Sequence, residues 1–234
     1  RVLPARENRG VPPSKYSYRV SNRRYGASHG HGRGRAYHTV DTGHISLKAG
    51  MKRFGKRAVD AMNRELASII DEKRAATPVR LSELSNRQRK KVVRSMLFFK
   101  EKFTHGVFER LKARLVANGA QQDRGLYPNH SSPTASLECI FMVLAIAAKE
   151  RREVAVVDIG TAYLNAEMGD EEVFIETDPF LTRWLLRYKP SLEPFTDEGG
   201  KMVFRLTKAL YGCVQSARLW YEKITAYLKR KWAN

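Results

Sequence analysis

Apolar residues recur at helical spacing in three parts of the chain. Residues 56–73 predict an amphipathic helix, residues 135–149 a buried helix, and residues 216–232 a further helix. The apolar stripe of the first helix is formed by Val59, Met62, Leu66, Ile69 and Ile70. The apolar side chains of the last helix are Leu219, Trp220, Ile224, Tyr227 and Leu228.

Short apolar runs between these helices predict strands. Residues 96–99 and 115–117 are joined through Thr104-His105-Gly106, which predicts a hairpin. Residues 154–158 read as an apolar strand that ends in an acid, and short strands are also predicted at 173–175 and 202–206. Because helices and strands mix without regular alternation, we expect an α+β fold rather than a doubly wound sheet.

Residues 1–40 show neither the helical nor the strand spacing of apolar residues. They hold nine Lys and Arg and one acid, Glu7, for a net charge of +8, together with many Gly, Ser, Pro and Tyr residues. This composition predicts a disordered basic connector over residues 1–44, with one folded domain over 45–234. His29 and His31 are candidate metal ligands, although isolated loop histidines are more often unliganded.

The whole chain carries 43 Lys and Arg against 24 Asp and Glu, a formal net charge of +19. Such a surplus calls for a polyanionic partner, most simply nucleic acid, but it does not separate a polymerase from a ribosomal or histone-like protein.

The longest apolar run, residues 140–148, has nine residues, so we expect no membrane span. Cys139 and Cys213 form neither a disulfide framework nor a zinc site.

Residues 87–114 concentrate this charge around the predicted hairpin. They contain ten Lys and Arg and two acids. The pattern favours a groove that grips phosphates, and the alternative is an ordinary solvated face. The predicted nucleic-acid contacts are Arg87, Arg89, Lys90, Lys91 and Lys112.

Asp158 is the candidate catalytic residue that stands out from its neighbours. A carboxylate at the end of a buried strand, followed by the turn at Gly160, would place a hard oxygen ligand for magnesium on a rigid element. The alternative is a carboxylate that only caps the next helix.

Several short segments occur in a characteristic order. They are KARLVANG at 112–119, SP at 132–133, AA at 147–148, DIGTAYLN at 158–165, and ALYGCVQS at 209–216 followed by Trp220-Tyr221. In order and spacing they resemble the reverse transcriptase of copia-type retrotransposon Pol polyproteins. The resemblance runs from about residue 45 to residue 234. It implies the fingers and part of the palm of a right-hand polymerase, preceded by the connector that joins integrase to polymerase.

The resemblance also implies roles for single residues. Arg114 would contact a nucleotide triphosphate, with Lys102, or alternatively Lys100, on the facing arm of the fingertip hairpin. Asp158 and the Ile159 carbonyl would bind Mg²⁺, of which the intact parent would hold two ions. The remaining nucleotide contacts would be Gly160, Tyr163, Tyr211 and Gly212.

Three aromatic residues of these motifs, Tyr163, Trp220 and Tyr221, have plainer interpretations. Tyr163 would lie under the sugar and exclude a 2′-hydroxyl group, or would be an ordinary core tyrosine. Trp220 and Tyr221 would pack the following helix rather than touch substrate. Gln215 is predicted to contact nucleic acid, because it matches the glutamine of the family motif.

The chain departs from the family pattern in three places. CVQSAR at 213–218 replaces the usual LKQSPR, which puts a primer or template contact in doubt, and Phe141 stands where Arg is usual. No Asp-Asp dipeptide occurs, although two-metal phosphoryl transfer needs further carboxylates. We therefore expect a fragment, cut at both ends and truncated before the second carboxylate motif, that is inactive alone.

The implied partners are an RNA template, a DNA primer, deoxynucleoside triphosphates and the rest of the Pol polyprotein. That remainder would be integrase upstream and the rest of the palm with RNase H downstream. By family analogy the location would be intracellular, in a cytoplasmic particle or the nucleus. The alternatives are a non-catalytic relic or domesticated nucleic-acid binder, and an unrelated basic RNA-binding protein that would leave the ordered motifs unexplained.

Overall fold

A computed structural model describes residues 43–104, 107–127 and 132–232 of the chain. These residues combine a six-stranded sheet with helices in irregular order, which confirms the expected α+β class. The connector predicted over residues 1–44, including His29 and His31, lies almost entirely outside the described residues.

The elements are numbered in chain order. The strands are β1 (Ile45–Ser46), β2 (Ala76–Val79), β3 (Val92–Thr104), β4 (Val107–Ala117), β5 (Phe174–Glu176) and β6 (Val203–Leu206). The α-helices are α1 (Leu47–Phe54), α2 (Lys56–Leu66), α3 (Asn86–Arg89), α4 (Leu137–Lys149), α5 (Pro179–Tyr188) and α6 (Ser216–Trp232). A π-helical segment (Ala67–Glu72) follows α2, and the 3₁₀ segments are Leu81–Glu83, Gly119–Gln121, Arg124–Leu126, Ala162–Asn165 and Pro190–Phe195.

The long antiparallel pair β3–β4 is the predicted hairpin, now confirmed. Its register places Leu97 opposite Leu115 and Thr104 opposite Val107, with one irregularity between Lys102 and Phe103. Strand β3 joins the rest of the sheet through β1 and through the parallel neighbour β5, in the order β1-β3-β5-β6-β2. The predicted strands near 173–175 and 202–206 are β5 and β6, and they pair with each other.

Helices α1 and α2 cover one face of the hairpin. Alternate residues of β3 and β4 are buried on that face, including Leu97, Phe99 and Leu115. A Cβ atom on Gly50 of α1 would lie 2.1 Å from a ring carbon of Phe99, so the helix backbone packs directly on the aromatic ring. The other face of the hairpin carries charged residues of both strands together with the apolar Met96, Phe98 and Val116.

The amphipathic helix predicted over 56–73 is confirmed. It runs as α2 and then widens into the π-helical segment, and Met62, Leu66 and Ile69 of its stripe are fully buried. The helix predicted over 216–232 is confirmed as α6. No helix within the described residues is long and apolar enough to cross a membrane.

The prediction of a buried helix over 135–149 is half wrong. The helix exists as α4, and Ser136 caps it by accepting a hydrogen bond from the Cys139 N–H. Ala147 is the only one of its residues, all of which the structure describes, that is buried, and Phe141 is 65% exposed. Its apolar sequence specifies a helix, but burial also requires a packing partner, and no other described element covers it.

The strand predicted over 154–158 is wrong. These residues have no partner strand among the described residues, and the side chains of Val156 and Val157 are 97% and 79% exposed. A β-prone sequence becomes a strand only where a neighbouring edge accepts its hydrogen bonds. Asp158 is therefore not at the end of a buried strand.

Candidate nucleic-acid interface

The solvent-facing side of the β3–β4 hairpin is strongly basic. Because side chains alternate along a strand, the residues on this side are those not buried against α1 and α2. We name this surface the cationic face; its basic members are Arg94, Lys100, Lys102, Arg110, Lys112 and Arg114.

The register of the hairpin sets like charges directly opposite one another. Lys100 pairs with Lys112, and Lys102 pairs with Arg110. Cross-strand pairs of like charge repel, so this arrangement favours a bound polyanion that neutralises it. Burial, and next the nearby positive charge of Arg114, lower the pKa of Lys112.

Arg114 lies at one end of a stack of side chains that leaves the hairpin. Its guanidinium carbon is 4.5 Å from the centre of the Tyr211 ring, and that ring lies 4.7 Å from the ring of Tyr163. A guanidinium held on an aromatic face keeps donors available for phosphate oxygens. The structure thus brings together three predicted nucleotide contacts from distant parts of the sequence.

A tight turn at Tyr211-Gly212 fixes the position of the Tyr211 ring. The Tyr211 carbonyl accepts a hydrogen bond of 2.8 Å from the Ala117 N–H at the end of β4. Gly212 has φ of +92°, and a Cβ atom there would lie 2.0 Å from the Ala117 carbonyl oxygen. A Cβ on Gly119 would in turn lie 2.0 Å from the Gly212 oxygen. The two backbone segments therefore meet at a distance that only glycine allows.

Gln122 joins the same two segments through its side-chain amide. Its Oε1 atom accepts a hydrogen bond from the Val214 N–H at 2.8 Å, and its Nε2 atom donates to Gln215 Oε1 at 3.2 Å. Gln215 itself is fully buried, so a contact with nucleic acid would require it to move. Nothing in the sequence pattern singled out Gln122, because its role depends on a partner 92 residues away.

Replacing Gln122 by alanine is expected to lower the free energy of unfolding by about 2 kcal/mol. The loss arises because the partly buried Val214 N–H and the buried Gln215 Oε1 atom both lose their hydrogen bond to Gln122. Urea unfolding followed by circular dichroism measures it. The matched control is Gln121→Ala, since the exposed Gln121 also accepts one backbone hydrogen bond, from the Arg94 N–H at 2.8 Å. Equal losses of stability in the two variants would contradict the role of Gln122 in holding the two backbone segments together.

Two further residues that sequence reasoning missed support the stack. Glu65 of α2 accepts a hydrogen bond from the Leu115 N–H at 3.1 Å, at the unpaired edge of β4. Burial raises the pKa of Glu65, while the Leu115 N–H and the charge of Arg114 oppose that rise. Asn165 closes the loop that carries Tyr163, because its Nδ2 atom donates to the carbonyls of Gly160 and Thr161, each at 3.3 Å.

The predicted metal ligands do not form a site for magnesium. Asp158 and Ile159 are exposed, and the described residues contain no group of three or more His, Cys, Asp or Glu that could hold a metal ion. A single exposed carboxylate does not fit a pair of bridged ions. We therefore assign no step of a reaction to a metal ion.

The basic residues before β3 are placed at the surface, but two of them have local partners. Arg87 and Lys90 are exposed around α3. Arg89 donates through Nε to the Leu84 carbonyl at 3.0 Å, and Lys91 pairs with Glu172 at 3.3 Å. Lys102 is exposed on the cationic face.

Of the two cysteines, Cys139 is exposed, while burial raises the pKa of Cys213 to about 12.

Comparisons with known proteins converge on one family. Residues 81–233 match the family model described as reverse transcriptase (RNA-dependent DNA polymerase). The chain is 34% identical over 122 residues to the retrovirus-related Pol polyprotein from transposon TNT 1-94 of Nicotiana tabacum. It is 31% identical over 133 residues to that from transposon RE2 of Arabidopsis thaliana. It is 32% identical over 142 residues to the Ty1-ER2 Gag-Pol polyprotein of Saccharomyces cerevisiae.

These matches cover very different shares of the two sequences. They include 51%, 56% and 59% of this chain, in the same order, but the matched region is 8%, 8% and 7% of each relative. No solved structure matches.

Proposed function

Because the chain belongs to the reverse transcriptase (RNA-dependent DNA polymerase) family, we propose that it is part of the polymerase of a copia-type retrotransposon Pol polyprotein. It would supply the fingers and the first part of the palm. One observation supports this above the others: Arg114 belongs to the cationic face and also stacks on Tyr211, which contacts Tyr163. A surface for a polyanion thus runs directly into a cluster suited to one nucleotide.

Each member of the cluster has a role in this proposal. Arg114 and Lys102 hold the triphosphate of an incoming deoxynucleotide, Tyr163 lies beneath its sugar, and Tyr211 with Gly212 lies beside the new base pair. In the reaction of the intact enzyme, the primer 3′-hydroxyl oxygen forms a bond to the α-phosphorus and releases its proton to water, while the bond from the α-phosphorus to the leaving pyrophosphate breaks. Charge neutralisation and alignment of the phosphates are what this chain contributes to that step.

Catalysis by the whole polymerase needs a set of carboxylates, and the described residues bring no such set together. Asp158 is proposed as one of them, with the Ile159 carbonyl nearby. The proposed substrates are an RNA template, a DNA primer and deoxynucleoside triphosphates. The proposed setting is intracellular, in a cytoplasmic particle or the nucleus, as part of a polyprotein with integrase and RNase H.

A non-catalytic relic or domesticated binder would need only the cationic face. It would not require the ring of Tyr211 to be held between Arg114 and Tyr163 by a backbone contact that excludes any side chain at position 212. The polymerase origin therefore accounts for more of the structure.

Loss of charge on the cationic face is expected to lower the affinity for single-stranded RNA and to make that affinity less dependent on salt concentration. Replacing Lys100, Lys102 and Lys112 by alanine should reduce the slope of log K against log salt by about 2 and the affinity at 0.1 M salt by about 100-fold, because each lost phosphate contact removes about 0.7 from the slope. Fluorescence anisotropy with a labelled 20-nucleotide RNA, titrated between roughly 50 and 300 mM salt, measures both.

The control variant replaces Lys229, Arg230 and Lys231, in the last turn of α6, by alanine. It removes the same charge from a part of the chain to which we assign no contact, so the slope should stay at the unmodified value. If the two variants lose affinity equally, net charge rather than the cationic face carries binding, and the proposed interface is wrong.

A further inference from the structure

Helices α1 and α2 carry a second basic surface that the proposed polymerase site does not use. We name it the helix face; its members are the exposed residues Lys48, Lys52, Arg53, Lys56, Arg57 and Arg64. Within Leu47–Leu66, all of which the structure describes, Asp60 is the only exposed acid. One member is already paired, because Arg53 contacts Glu101 at 3.3 Å. The positive charge of the helix face therefore exceeds the negative charge of the acids beside it.

The helix face and the cationic face lie on opposite sides of the same layered unit. The inner sides of α1 and α2 pack on the buried face of the hairpin, where Gly50 meets the ring of Phe99. The outer sides of the helices consequently point away from Lys100 and Lys112. Packed layers are about 10 Å apart before side chains are added, and charges in physiological salt are screened over about 8 Å. Charges on the outer sides of the helices are therefore largely screened from Lys100 and Lys112, although the two surfaces meet at an edge where Arg110 lies near Arg57 and Arg64.

Part of the helix face is concave. A cavity of about 370 Å³ opens between α2 and β4 where the helix face borders the cationic face, with Arg57 and Arg64 on its helical wall and Phe108 and Arg110 on its strand wall. Two acids also line it, Asp60 and Glu109, and Glu109 is paired with Arg110 at 3.5 Å. The guanidinium of Arg57 lies 5.9 Å from the centre of the Phe108 ring. Two arginines converging on one opening suit a phosphate group, which guanidinium binds with two parallel hydrogen bonds.

The composition of the helix face favours nucleic acid over a lipid surface. Helices that lie in a membrane interface pair their basic residues with exposed large apolar ones. In α1 and α2 the large apolar residues are turned inward instead, with Leu47, Met62 and Leu66 buried. A phosphodiester backbone needs only the charge and the guanidinium donors.

We propose that the helix face binds the phosphodiester backbone of a second stretch of nucleic acid, so that one chain holds two separate stretches at once. This goes beyond the polymerase proposal, because it involves none of the residues in the Arg114 stack. Two weak sites on one body raise the local concentration of each strand for the other, which links the strands without any new contact between them.

A bridging assay tests this assignment. Biotinylated single-stranded RNA is fixed on beads, the full chain is added at 0.1 M salt, and capture of a fluorescent RNA of unrelated sequence is measured. The wild-type chain should capture the second RNA. The variant K52E/K56E/R57E, whose three sites are all exposed, should lose at least 10-fold of that capture while still binding the first RNA through the cationic face.

The matched control is K229E/R230E/K231E, which makes the same charge change on α6. It should capture the second RNA as the wild type does. Undiminished bridging by the helix-face variant, or equal loss in both variants, would overturn the proposal. Loss of binding in the hairpin variant K100A/K102A/K112A is a separate result that bears on the polymerase interface, so the two proposals can fail independently.

Discussion

Replacing Gly212 by alanine is expected to lower the free energy of unfolding by about 3 kcal/mol or more. Two costs add at this position. The φ of +92° disfavours any residue with a Cβ atom by about 1–2 kcal/mol, and the new methyl would lie 2.0 Å from the Ala117 oxygen, an overlap that typically costs about 1–3 kcal/mol. The Tyr211 carbonyl would then separate from β4, so the Tyr211 ring would also leave Arg114.

Two other glycines separate these costs in urea unfolding experiments. Gly169 has φ of +62° with nothing near its missing side chain, so Gly169→Ala should show the backbone cost alone, about 1 kcal/mol. A Cβ atom on Gly119 would lie 2.0 Å from the Gly212 oxygen, so Gly119→Ala should show the free-energy cost of the steric overlap. A loss in Gly212→Ala no larger than that in Gly169→Ala would mean that the two segments can part freely, contrary to the fold described.

Replacing Arg114 by alanine is expected to weaken binding of a deoxynucleoside triphosphate by about 10- to 150-fold. A charge-assisted hydrogen bond to phosphate contributes about 1.5–3 kcal/mol, and no other guanidinium among the described residues stacks on Tyr211. Arg114→Lys keeps the charge but loses the planar group that stacks at 4.5 Å on the ring, so its affinity should be intermediate. Titration with a fluorescent triphosphate measures the dissociation constants.

The comparison residue for this prediction is Arg94, which is exposed on the same cationic face. Arg94→Ala removes an equal charge away from the stack and should change triphosphate affinity less than threefold. The affinity of the unphosphorylated nucleoside should be the same in all variants, since the phosphates make the contact with Arg114. If Arg94→Ala and Arg114→Ala weaken triphosphate binding alike, the cluster is not a nucleotide site.

Local sequence patterns predicted the elements whose stability depends on their own residues. The stripe at Met62, Leu66 and Ile69 identified α2, and the turn between residues 99 and 115 identified the hairpin. Periodicity succeeds in these cases because each element buries the side that its own spacing defines.

The same patterns failed where an element needs a distant partner. The apolar residues of α4 and the run at 154–158 predicted burial and a strand, yet Phe141 and Val156 are exposed. Hydrophobicity measures the gain available on burial, but it does not say which surface provides it. The prediction of Asp158 on a rigid strand also assumed that the apolar run before it is buried against a neighbouring strand.

For the candidate site, motif order selected Arg114, Tyr163, Tyr211 and Gly212 one by one, but it contained no distances between them. The +19 charge, its concentration around the hairpin, and the family to which the motifs belong follow from the order of the amino acids alone. Folding adds that Arg114 lies on Tyr211, that Gln122 joins the Tyr211-Gly212 turn to the end of β4, and that a second basic surface lies on the outer side of α1 and α2. Charge and periodicity are properties of neighbouring residues, whereas these features join segments that are far apart in the sequence and meet only through the packing of the layers.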